Sequence, residues 1–408
     1  MQFLVFLRDN ARWIAGGFLL TLFSSFGQTF FIALSAGEIR QEFNLSHGQF
    51  GGVYMIATLA SALTFPWIGQ LVDRYTVRKM STFTILALVC ACLAMMVSTH
   101  VAALVLVIYA LRLFGQGMMT HIALTAMGKW YAGNRGQAVS VTSIGVNFGE
   151  AIFPILFVAI AGLYGWRNAW LASAILLLFA LPVIATLFSR DRTPRSTDPP
   201  AKVTGVRDWT RREVLRDPLF YALQIGVLAP AFIGTTIFFH QVHLAELRGW
   251  SMETFAASYV VLSVSVISFA LIAGQLIDRY SALQLLPAYL LPLAAACLIL
   301  GQCEAQWSAF AFMALLGVSY GFSSSLFGSV WPELYGTKNL GSIRSVIIAM
   351  MVFATAAGPG ITGYFIDAGI EYPLQITLMG LYCLAAAVMM TIATRVAIAR
   401  TASVGSSL

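Results

Sequence analysis

Charged residues are scarce in this sequence. Asp, Glu, Lys and Arg make up 10% of its 408 residues, whereas about 25% of the residues in a soluble domain are charged. Hydrophobic residues make up 59%, which is more than a water-soluble core can bury. The chain divides into about twelve apolar runs, each close to the roughly 20 residues that a transmembrane helix needs. This composition excludes a soluble globular protein and predicts an integral membrane protein.

Cysteine and clustered histidine are scarce as well. The five cysteines have neither metal-ligand nor disulfide spacing, and we interpret them as packing residues. The five histidines are scattered, and only His240 and His243 lie one helical turn apart, without an acidic or thiol ligand nearby. We therefore expect no metal, no cofactor and no catalytic residue. The net charge of +7 lies mainly in loops on one side of the membrane, so we expect no nucleic-acid partner.

One heptapeptide occurs twice. Residues 69–75 read GQLVDRY and residues 274–280 read GQLIDRY, six identities in seven at a separation of 205 residues. Pro154 and Pro359 keep the same offset. Because 205 residues are about half of the chain, this pattern indicates a duplicated unit.

Two helical halves with a charged hairpin after the second span of each resemble the major facilitator superfamily of secondary transporters. The superfamily's loop motif is G-x-L-x-D-R-x-G-R-R, and Gly69, Leu71, Asp73 and Arg74 match its first four specified residues. The second copy matches the same four with Gly274, Leu276, Asp278 and Arg279. The resemblance implies an all-α membrane fold of twelve transmembrane helices in two pseudo-symmetric six-helix bundles. These would be residues 1–188 and 219–408, joined by a cytoplasmic linker at 189–218, in a protein that we expect to be monomeric. The expected spans are 12–35, 48–70, 80–98, 101–128, 138–162, 168–188, 219–242, 255–276, 284–302, 308–330, 343–365 and 374–395.

The loop charges predict the orientation. Of the 24 Lys and Arg residues, 20 lie in loops on one side, and Arg40, Arg167 and Arg248 are the three on the other. Because cytoplasmic loops carry the excess of positive charge, we expect both termini to be cytoplasmic and the protein to lie in the cytoplasmic (inner) membrane. Residues 206–216 at the end of the linker fit either a basic helix on the inner leaflet or a solvated linker.

The repeated hairpin suggests a gate. Asp73 and Asp278 leave the membrane on the same side, where the helix amino termini of spans eleven and five carry partial positive charge. A contact between Asp73 and the start of span eleven near Arg344, with its pseudo-symmetric counterpart, would close the cytoplasmic mouth. We assign gating to these residues together with Arg74 and Arg279. The alternative interpretation is a helix stop with positive-inside anchoring.

Two ionisable side chains fall deep within spans. Arg112 in span four and Glu150 in span five both lie near the expected midplane, where an unpaired charge costs at least ~2.5–3.5 kcal/mol. They can pair with each other, or either can meet a ligand. Tyr109 and Gln116 share the helix face of Arg112 if span four is a regular α-helix, whereas His121 lies opposite and is interpreted as a packing residue. A structural buried pair is the alternative.

Further candidates follow from the resemblance, because spans one, four, seven and ten line the cavity in the superfamily. They are Gln28 in span one and Tyr320 and Ser324 in span ten, with Ser24, Ser25, Thr235, Thr236 and His240 as weaker candidates. Each can equally be a helix-packing group. The predicted substrate contacts are therefore Arg112, Gln116, Tyr109, Gln28, Tyr320 and Ser324, with Glu150 and Arg112 assigned to proton coupling.

Residues 129–154 resemble the start of span five in the monocarboxylate transporters and the oxalate–formate antiporters. The matches are Arg135, Gly136, Ala138, Gly145, Gly149 and Pro154. The resemblance implies a proton-coupled transporter of a carboxylate-bearing organic anion that works by alternating access. The usual cationic residues of the second half are absent, so a neutral or zwitterionic substrate stays open. A proton-coupled exporter of drugs or metabolites and a transporter-derived receptor are the alternatives.

Overall fold

The protein is all-helical. The computed structural model describes residues 2–131, 135–192, 207–336 and 339–405, and within these ranges every regular element is a helix. In this described part, eleven helices are long and apolar enough to cross a membrane. They become twelve spans if Phe6–Gly27 and Thr29–Phe43, which meet at 42°, form one bent span. The predicted fold class is confirmed.

The chain divides into two compact units, Met1–Ala201 and Lys202–Leu408. The division lies within the predicted linker, but residues 193–206 are outside the described ranges. The boundaries of that linker therefore stay a prediction.

The first unit contains spans one to six. Its helical segments are Gln2–Phe23, Ser24–Gly27 (3₁₀), Thr29–Ile32, Ala33–Ser35 (3₁₀), Ala36–Phe43, His47–Gly69, Leu71–Arg74, Val77–Val97, Val101–Ala110, Leu111–Met119 (π), Thr120–Trp130, Arg135–Tyr164 and Trp166–Leu187. The expectation of one continuous first span over 12–35 was wrong, because this segment bends and changes helix type.

The second unit contains spans seven to twelve. Its helices are Arg211–Val214, Pro218–Val227, Ala229–Phe239, Gln241–Arg248, Met252–Tyr280, Ala282–Leu285, Leu290–Gln302, Trp307–Tyr335, Leu340–Asp367 and Tyr372–Gly405. Span ten is a single α-helix of 29 residues, unlike span four, its counterpart in the first unit.

Side chains encoded next to the spans determine where several helices begin. The Ser46 hydroxyl accepts a hydrogen bond from the Gln49 backbone N–H, and the Gln49 side chain accepts from the Ser46 N–H, which forms a capping box. Thr76 and Ser251 cap Val77–Val97 and Met252–Tyr280 in the same way, each with one hydroxyl. Because an apolar helix end leaves backbone N–H groups unpaired, these polar residues fix the start of the span.

Two arginines from loops with little positive charge cap helix ends. Arg167 donates to the carbonyl oxygens of Met96 and Ser98, where span three ends, and also pairs with Glu42 at 2.5 Å. Arg248 donates to Gly301 at 3.1 Å near the end of span nine. A cation at a helix carboxyl terminus satisfies free carbonyls and complements the helix dipole. The same device therefore ends spans three and nine.

The chain that enters the second unit packs against it. The Trp209 ring lies 5.4 Å from the Tyr335 ring and 4.1 Å below the Arg400 guanidinium. The Asp217 carboxylate accepts hydrogen bonds from Arg400 at 2.9 Å and Tyr335 at 3.1 Å. Only Arg211–Val214 is helical within the predicted basic segment. The end of the predicted linker thus contacts the second unit, and its helix is limited to Arg211–Val214 instead of the full surface helix considered over 206–216.

Candidate functional site

Span one is interrupted at its midpoint. After the 3₁₀ turn Ser24–Gly27, the backbone of Gln28 is extended, with φ −81° and ψ 153°, and α-helix resumes at Thr29. Such a break frees backbone groups and turns the next residues away from the helix face, so it is tolerated only where neighbouring protein surrounds it. Every residue from Ser24 to Gly27 is buried, which meets that condition.

Span four is irregular at the level of the break. Leu111–Met119 is π-helix, a form that is rare and often found at functional sites. A Cβ atom on Gly115 would lie 2.6 Å from the Gly27 Cα, and one on Gly27 would lie 2.6 Å from the Gly115 Cα. No real Cβ contact is that short, so both positions require glycine. The regular α-helix assumed in the sequence analysis was therefore wrong for 111–119.

Arg112 lies in this π segment and is 4% exposed. Its Nη1 donates a hydrogen bond of 3.1 Å to the Thr29 hydroxyl, which lies 2.5 Å from the Tyr54 hydroxyl. The guanidinium carbon is 5.4 Å from the centre of the Tyr54 ring, within the distance of a cation–π interaction. Spans one, two and four each contribute one side chain, and together these three form the cluster that we call the arginine site.

No carboxylate neutralises the arginine site within the described residues. No ion pair within 4.0 Å joins Arg112 to Glu150 or to any other described acid, and the Arg112 Nε has no described hydrogen-bond partner. Glu150 is half-buried on span five. A guanidinium with an unused donor in a low-dielectric interior attracts an anion. The arginine site is thus chemically suited to bind a carboxylate.

Glu150 follows the glycines that bring span five against span one. A Cβ atom on Gly145 would lie within 3.0 Å of the Thr21 hydroxyl, and one on Gly149 would lie within 3.0 Å of the Ser25 hydroxyl. The small-xxx-small spacing of Gly145 and Gly149 therefore allows close approach of the two helices. Because these contacts hold span five to the first half of span one, Glu150 is attached to the same framework as the arginine site.

The remaining predicted residues of the first unit differ in their surroundings. Tyr109, Gln116 and Gln28 are half-buried, and Gln28 is the extended residue of the break. His121 contacts the Phe65 ring at 5.2 Å, in line with a packing role. Sequence reasoning missed Tyr54, and it missed Thr29 although that residue follows the polar Gln28 in an otherwise apolar run.

In the second unit, the candidates make packing contacts. The Tyr320 hydroxyl donates a hydrogen bond of 3.3 Å to the Pro230 carbonyl, and Ser324 is exposed and donates to its own helix at Gly321. The His240 ring nitrogen lies 3.1 Å from the Pro359 carbonyl oxygen, and the ring contacts Tyr372 at 5.5 Å. These contacts lie within the second unit, and the assignment of Tyr320 and Ser324 to substrate stays a prediction.

The proposed gating residues are only partly described. Arg74, Arg279 and Arg344 are exposed, and the Arg279 guanidinium lies 5.2 Å from the Tyr280 ring. The side chains of Asp73 and Asp278 are outside the described set. The gating role stays a prediction. Across the described ranges, no group of three or more His, Cys, Asp and Glu residues is placed to hold a metal ion.

The family model for the Major Facilitator Superfamily matches residues 17–359. The chain belongs to the Major Facilitator Superfamily. The predicted superfamily is thereby confirmed, and the family and the fold together point to a transporter rather than an enzyme.

Several relatives and solved structures of this superfamily resemble the chain. The fosmidomycin resistance protein of Escherichia coli is 25% identical over 279 residues, 66% of this chain and 66% of that protein. The multidrug resistance protein B homolog of Mycobacterium tuberculosis is 30% identical over 139 residues, 34% of this chain but only 26% of that protein. The chain thus spans less than two thirds of these curated relatives.

The crystal structure of a bacterial homolog to the human lysosomal transporter Spinster, inward-facing and unoccupied, aligns with a TM-score of 0.75. The alignment covers 95% of this chain and 98% of that chain at 16% identity. The occupied form of that protein aligns with a TM-score of 0.72 at 17% identity. At such low identity the likeness shows the fold alone.

Proposed function

We propose that this protein is a secondary active transporter that moves a small carboxylate-bearing organic anion across the cytoplasmic membrane by alternating access, coupled to protons. Membership of the Major Facilitator Superfamily supports transport of a small solute. The single observation that supports an anionic substrate is the buried Arg112 guanidinium. It has no described acidic partner within 4.0 Å, and its Nε donor is unused.

The energetic argument rests on desolvation. A lone arginine at the middle of a span costs at least ~2.5–3.5 kcal/mol, and the hydrogen bond to Thr29 with the Tyr54 ring offsets only part of this. A substrate carboxylate would supply the missing charge through charge-assisted hydrogen bonds. Thr29 and Tyr54 orient the guanidinium beforehand, which reduces the entropy lost on binding.

Glu150 is the proposed proton carrier. It is a carboxylate deep in a span of the first unit, and it is not ion-paired with Arg112 in this structure. Substrate can therefore reach Arg112 without displacing Glu150. A bound anion would lower the cost of a nearby protonated carboxyl relative to a second negative charge, so binding and protonation would favour each other. This mutual dependence is the requirement for symport.

Orientation and gating complete the proposal. The excess of Lys and Arg in loops on one side supports cytoplasmic termini. Asp73, Arg74, Asp278, Arg279 and Arg344 are proposed to control the cytoplasmic mouth through charge–dipole contacts at helix starts. Gln116, Tyr109 and Gln28, near the arginine site in sequence or on its helices, are proposed as secondary substrate contacts.

Export of drugs or metabolites is the second candidate function. The names of two relatives, a fosmidomycin resistance protein and a multidrug resistance protein B homolog, favour it. An exporter with the arginine site would also select anions, but it would exchange the solute against incoming protons. The monocarboxylate branch rests on the residue pattern at 129–154 alone.

Uptake into proteoliposomes tests the proposal. The full chain is reconstituted, and uptake of a panel of radiolabelled mono- and dicarboxylates is measured with the proton gradient inward, outward and absent. Symport predicts accumulation only when protons and solute enter together, whereas export by antiport predicts accumulation when protons leave. Equal uptake in protein-free vesicles for every solute would contradict carboxylate transport.

Glu150→Gln provides the matched test of coupling. The variant keeps a polar side chain of the same size but carries no proton. We expect it to retain counterflow exchange of the substrate and to lose accumulation driven by the proton gradient. A monodisperse Glu150→Gln protein that accumulates substrate as the wild type does would exclude the coupling role.

A further inference from the structure

The space between spans one, five and six of the first unit is filled with aromatic rings. The Phe31 ring contacts the rings of Phe157 at 5.0 Å and Trp170 at 5.2 Å, and the Phe26 ring contacts Phe153 at 4.6 Å. All of these side chains are buried, as is the neighbouring Phe23. Large rings thus close this flank of the first unit.

The repeat offset of 205 residues locates the matching positions in the second unit, and none is aromatic. Phe23, Phe26, Phe31, Phe153, Phe157 and Trp170 correspond to Leu228, Ala231, Thr236, Gly358, Thr362 and Gln375. Part of the lost volume is recovered by closer packing, since a Cβ atom on Gly358 would lie within 3.0 Å of the Thr236 hydroxyl. The remainder is not recovered.

A cavity of about 690 Å³ occupies this place in the second unit, bordered by spans seven, eleven and twelve. Leu228, Thr362 and Gln375, three of the six substituted positions, line it directly. Its volume is within the range of about 300–1,000 Å³ found for ligand sites. The lining is almost entirely apolar, so ordered water does not fill it.

The cavity opens on the flank of the unit. Its inner wall includes Ala229 and Ile233, which are buried, whereas Phe353 and Leu378 at the outer wall are 62% and 53% exposed. These residues all belong to helices that are long and apolar enough to cross the membrane. Because this exposed outer wall is apolar, we place it against the hydrocarbon of the bilayer rather than against water, where lipid chains would reach the opening.

Two polar groups of the cavity wall, on Gln375 and Tyr382, already have partners. The Gln375 amide donates to the Ile370 carbonyl at 2.9 Å, and the Tyr382 hydroxyl donates to the Ile225 carbonyl at 2.7 Å. These two groups therefore require no polar group from a ligand. Because protein interiors are close-packed and an empty space forfeits dispersion contacts, an apolar chain that enters gains those contacts at little cost.

We propose that this cavity binds one acyl chain of a bilayer phospholipid, inserted between spans eleven and twelve against span seven. The occupant is a phospholipid rather than a dissolved solute because the opening lies among membrane-spanning residues and the wall offers almost entirely apolar contacts. At the equivalent place in the described part of the first unit, aromatic rings occupy the space. The lipid is held within the helix bundle, unlike lipid that only coats the outer surface.

Photocrosslinking of the wild-type full chain tests the position. The protein is reconstituted in vesicles of phosphatidylcholine whose acyl chain carries a diazirine, and crosslinked peptides are mapped by mass spectrometry. We expect labelling concentrated in residues 354–362 and 375–379. Labelling no greater there than around Val388 and Ile392, which are exposed on span twelve outside the cavity, would overturn the proposal.

A filled cavity provides the second test. Thr362→Phe combined with Gln375→Trp places the aromatic residues of the first unit, Phe157 and Trp170, at the matching positions. Native mass spectrometry after detergent washing should detect a retained dioleoylphosphatidylcholine in the wild type and its loss in the double variant. Val388→Phe, on the exposed face of span twelve, should retain it. Equal retention in all three proteins, or retention of detergent only, would exclude a bound acyl chain.

Discussion

The first and second units differ at the place where their first and fourth spans meet. In the first unit, Gly27 and Gly115 bring two backbones into direct contact, with a 3₁₀ turn on one side and π-helix on the other. In the second unit, the position 205 residues after Gly115 is Tyr320, whose hydroxyl lies against Pro230 and Gly234. A side chain thus takes the place of the backbone contact.

The irregular backbone of the first unit accompanies a buried charged side chain, whereas the corresponding contact of the second unit is made by the Tyr320 side chain. Irregular backbone weakens regular hydrogen bonding and persists only where the surrounding structure holds it, which is common at functional sites. The first unit combines this irregularity with the buried Arg112, whereas span ten is regular α-helix whose ionisable carboxylate, Glu333, lies only near its carboxyl-terminal end. We infer that the two copies of the duplicated unit have diverged where their first and fourth spans meet.

The largest expected effect is the loss of substrate binding when the charged Arg112 side chain is replaced by a neutral one. Arg112→Met should weaken the free energy of substrate binding by about 2–5 kcal/mol, the usual cost of removing one partner of a buried hydrogen-bonded charge pair. Tyr320→Phe should keep most of the uptake, because its hydroxyl already bonds to Pro230 within the unit. Counterflow exchange in proteoliposomes measures both. A loss in Tyr320→Phe equal to that in Arg112→Met would end the comparison and place Tyr320 in the substrate site, as its sequence position predicts.

The Gly27–Gly115 contact and the Gly234–Tyr320 contact should differ in how well they tolerate a larger side chain. Gly27→Ala places a methyl group against backbone atoms of span four that cannot move independently, so it should destabilise the protein by about 1–3 kcal/mol or more. Gly234→Ala meets the end of the Tyr320 side chain, and Tyr320→Phe should relieve that clash. Thermal unfolding in detergent measures these variants. A rescue of Gly27→Ala by a side-chain deletion in span four would contradict a backbone contact.

A smaller effect is expected where the chain enters the second unit. Asp217→Asn weakens the bonds from Arg400 and Tyr335, and the Asp217 side chain is only 7% exposed. We expect a loss of about 1–3 kcal/mol, as for a buried charged hydrogen bond. Asp9→Asn in the first unit is the control, since the Arg8–Asp9 pair is 79% and 46% exposed and contributes about 0–1 kcal/mol. Equal melting temperatures of the two variants would show that the docked segment adds no stability.

The smallest effect concerns pH. The Thr210 backbone N–H, followed by the Thr210 hydroxyl and then Arg207, lowers the pKa of the Glu213 carboxyl below its usual value. The folded capping box is therefore favoured above the ordinary pKa of about 4.3, and this advantage is lost as the pH falls through the lowered pKa. Hydrogen exchange of residues 210–214 should show greater protection in the wild type than in Glu213→Gln near neutral pH only. A difference that persists at the lowest pH would exclude this ionisation.

Several features followed from residue pattern alone. The apolar runs predict spans because a bilayer, like a core, selects by composition. The buried position of Arg112 followed from its place within such a run. These properties depend on neighbours along one helix, so a single sequence contains them.

The partners of Arg112 required the tertiary structure. Thr29 lies 83 residues away along the chain, and neither it nor Tyr54 differs by type from other hydroxyl-bearing residues of the spans. The π segment and the break in span one were also outside the reach of sequence reasoning. They depend on the contact of Gly27 with Gly115, and either glycine alone is compatible with a regular helix.

The sequence by itself determined the superfamily, the helical fold and the duplication, because hydropathy and the 205-residue repeat are linear properties of the chain. Only the tertiary structure decided that Arg112 donates to Thr29 and lies over the Tyr54 ring rather than pairing with Glu150, and that one unit is filled by aromatic rings where the other has a cavity. Side-chain partners and packed volume depend on which helix faces meet. That choice is made by contacts between distant residues in three dimensions.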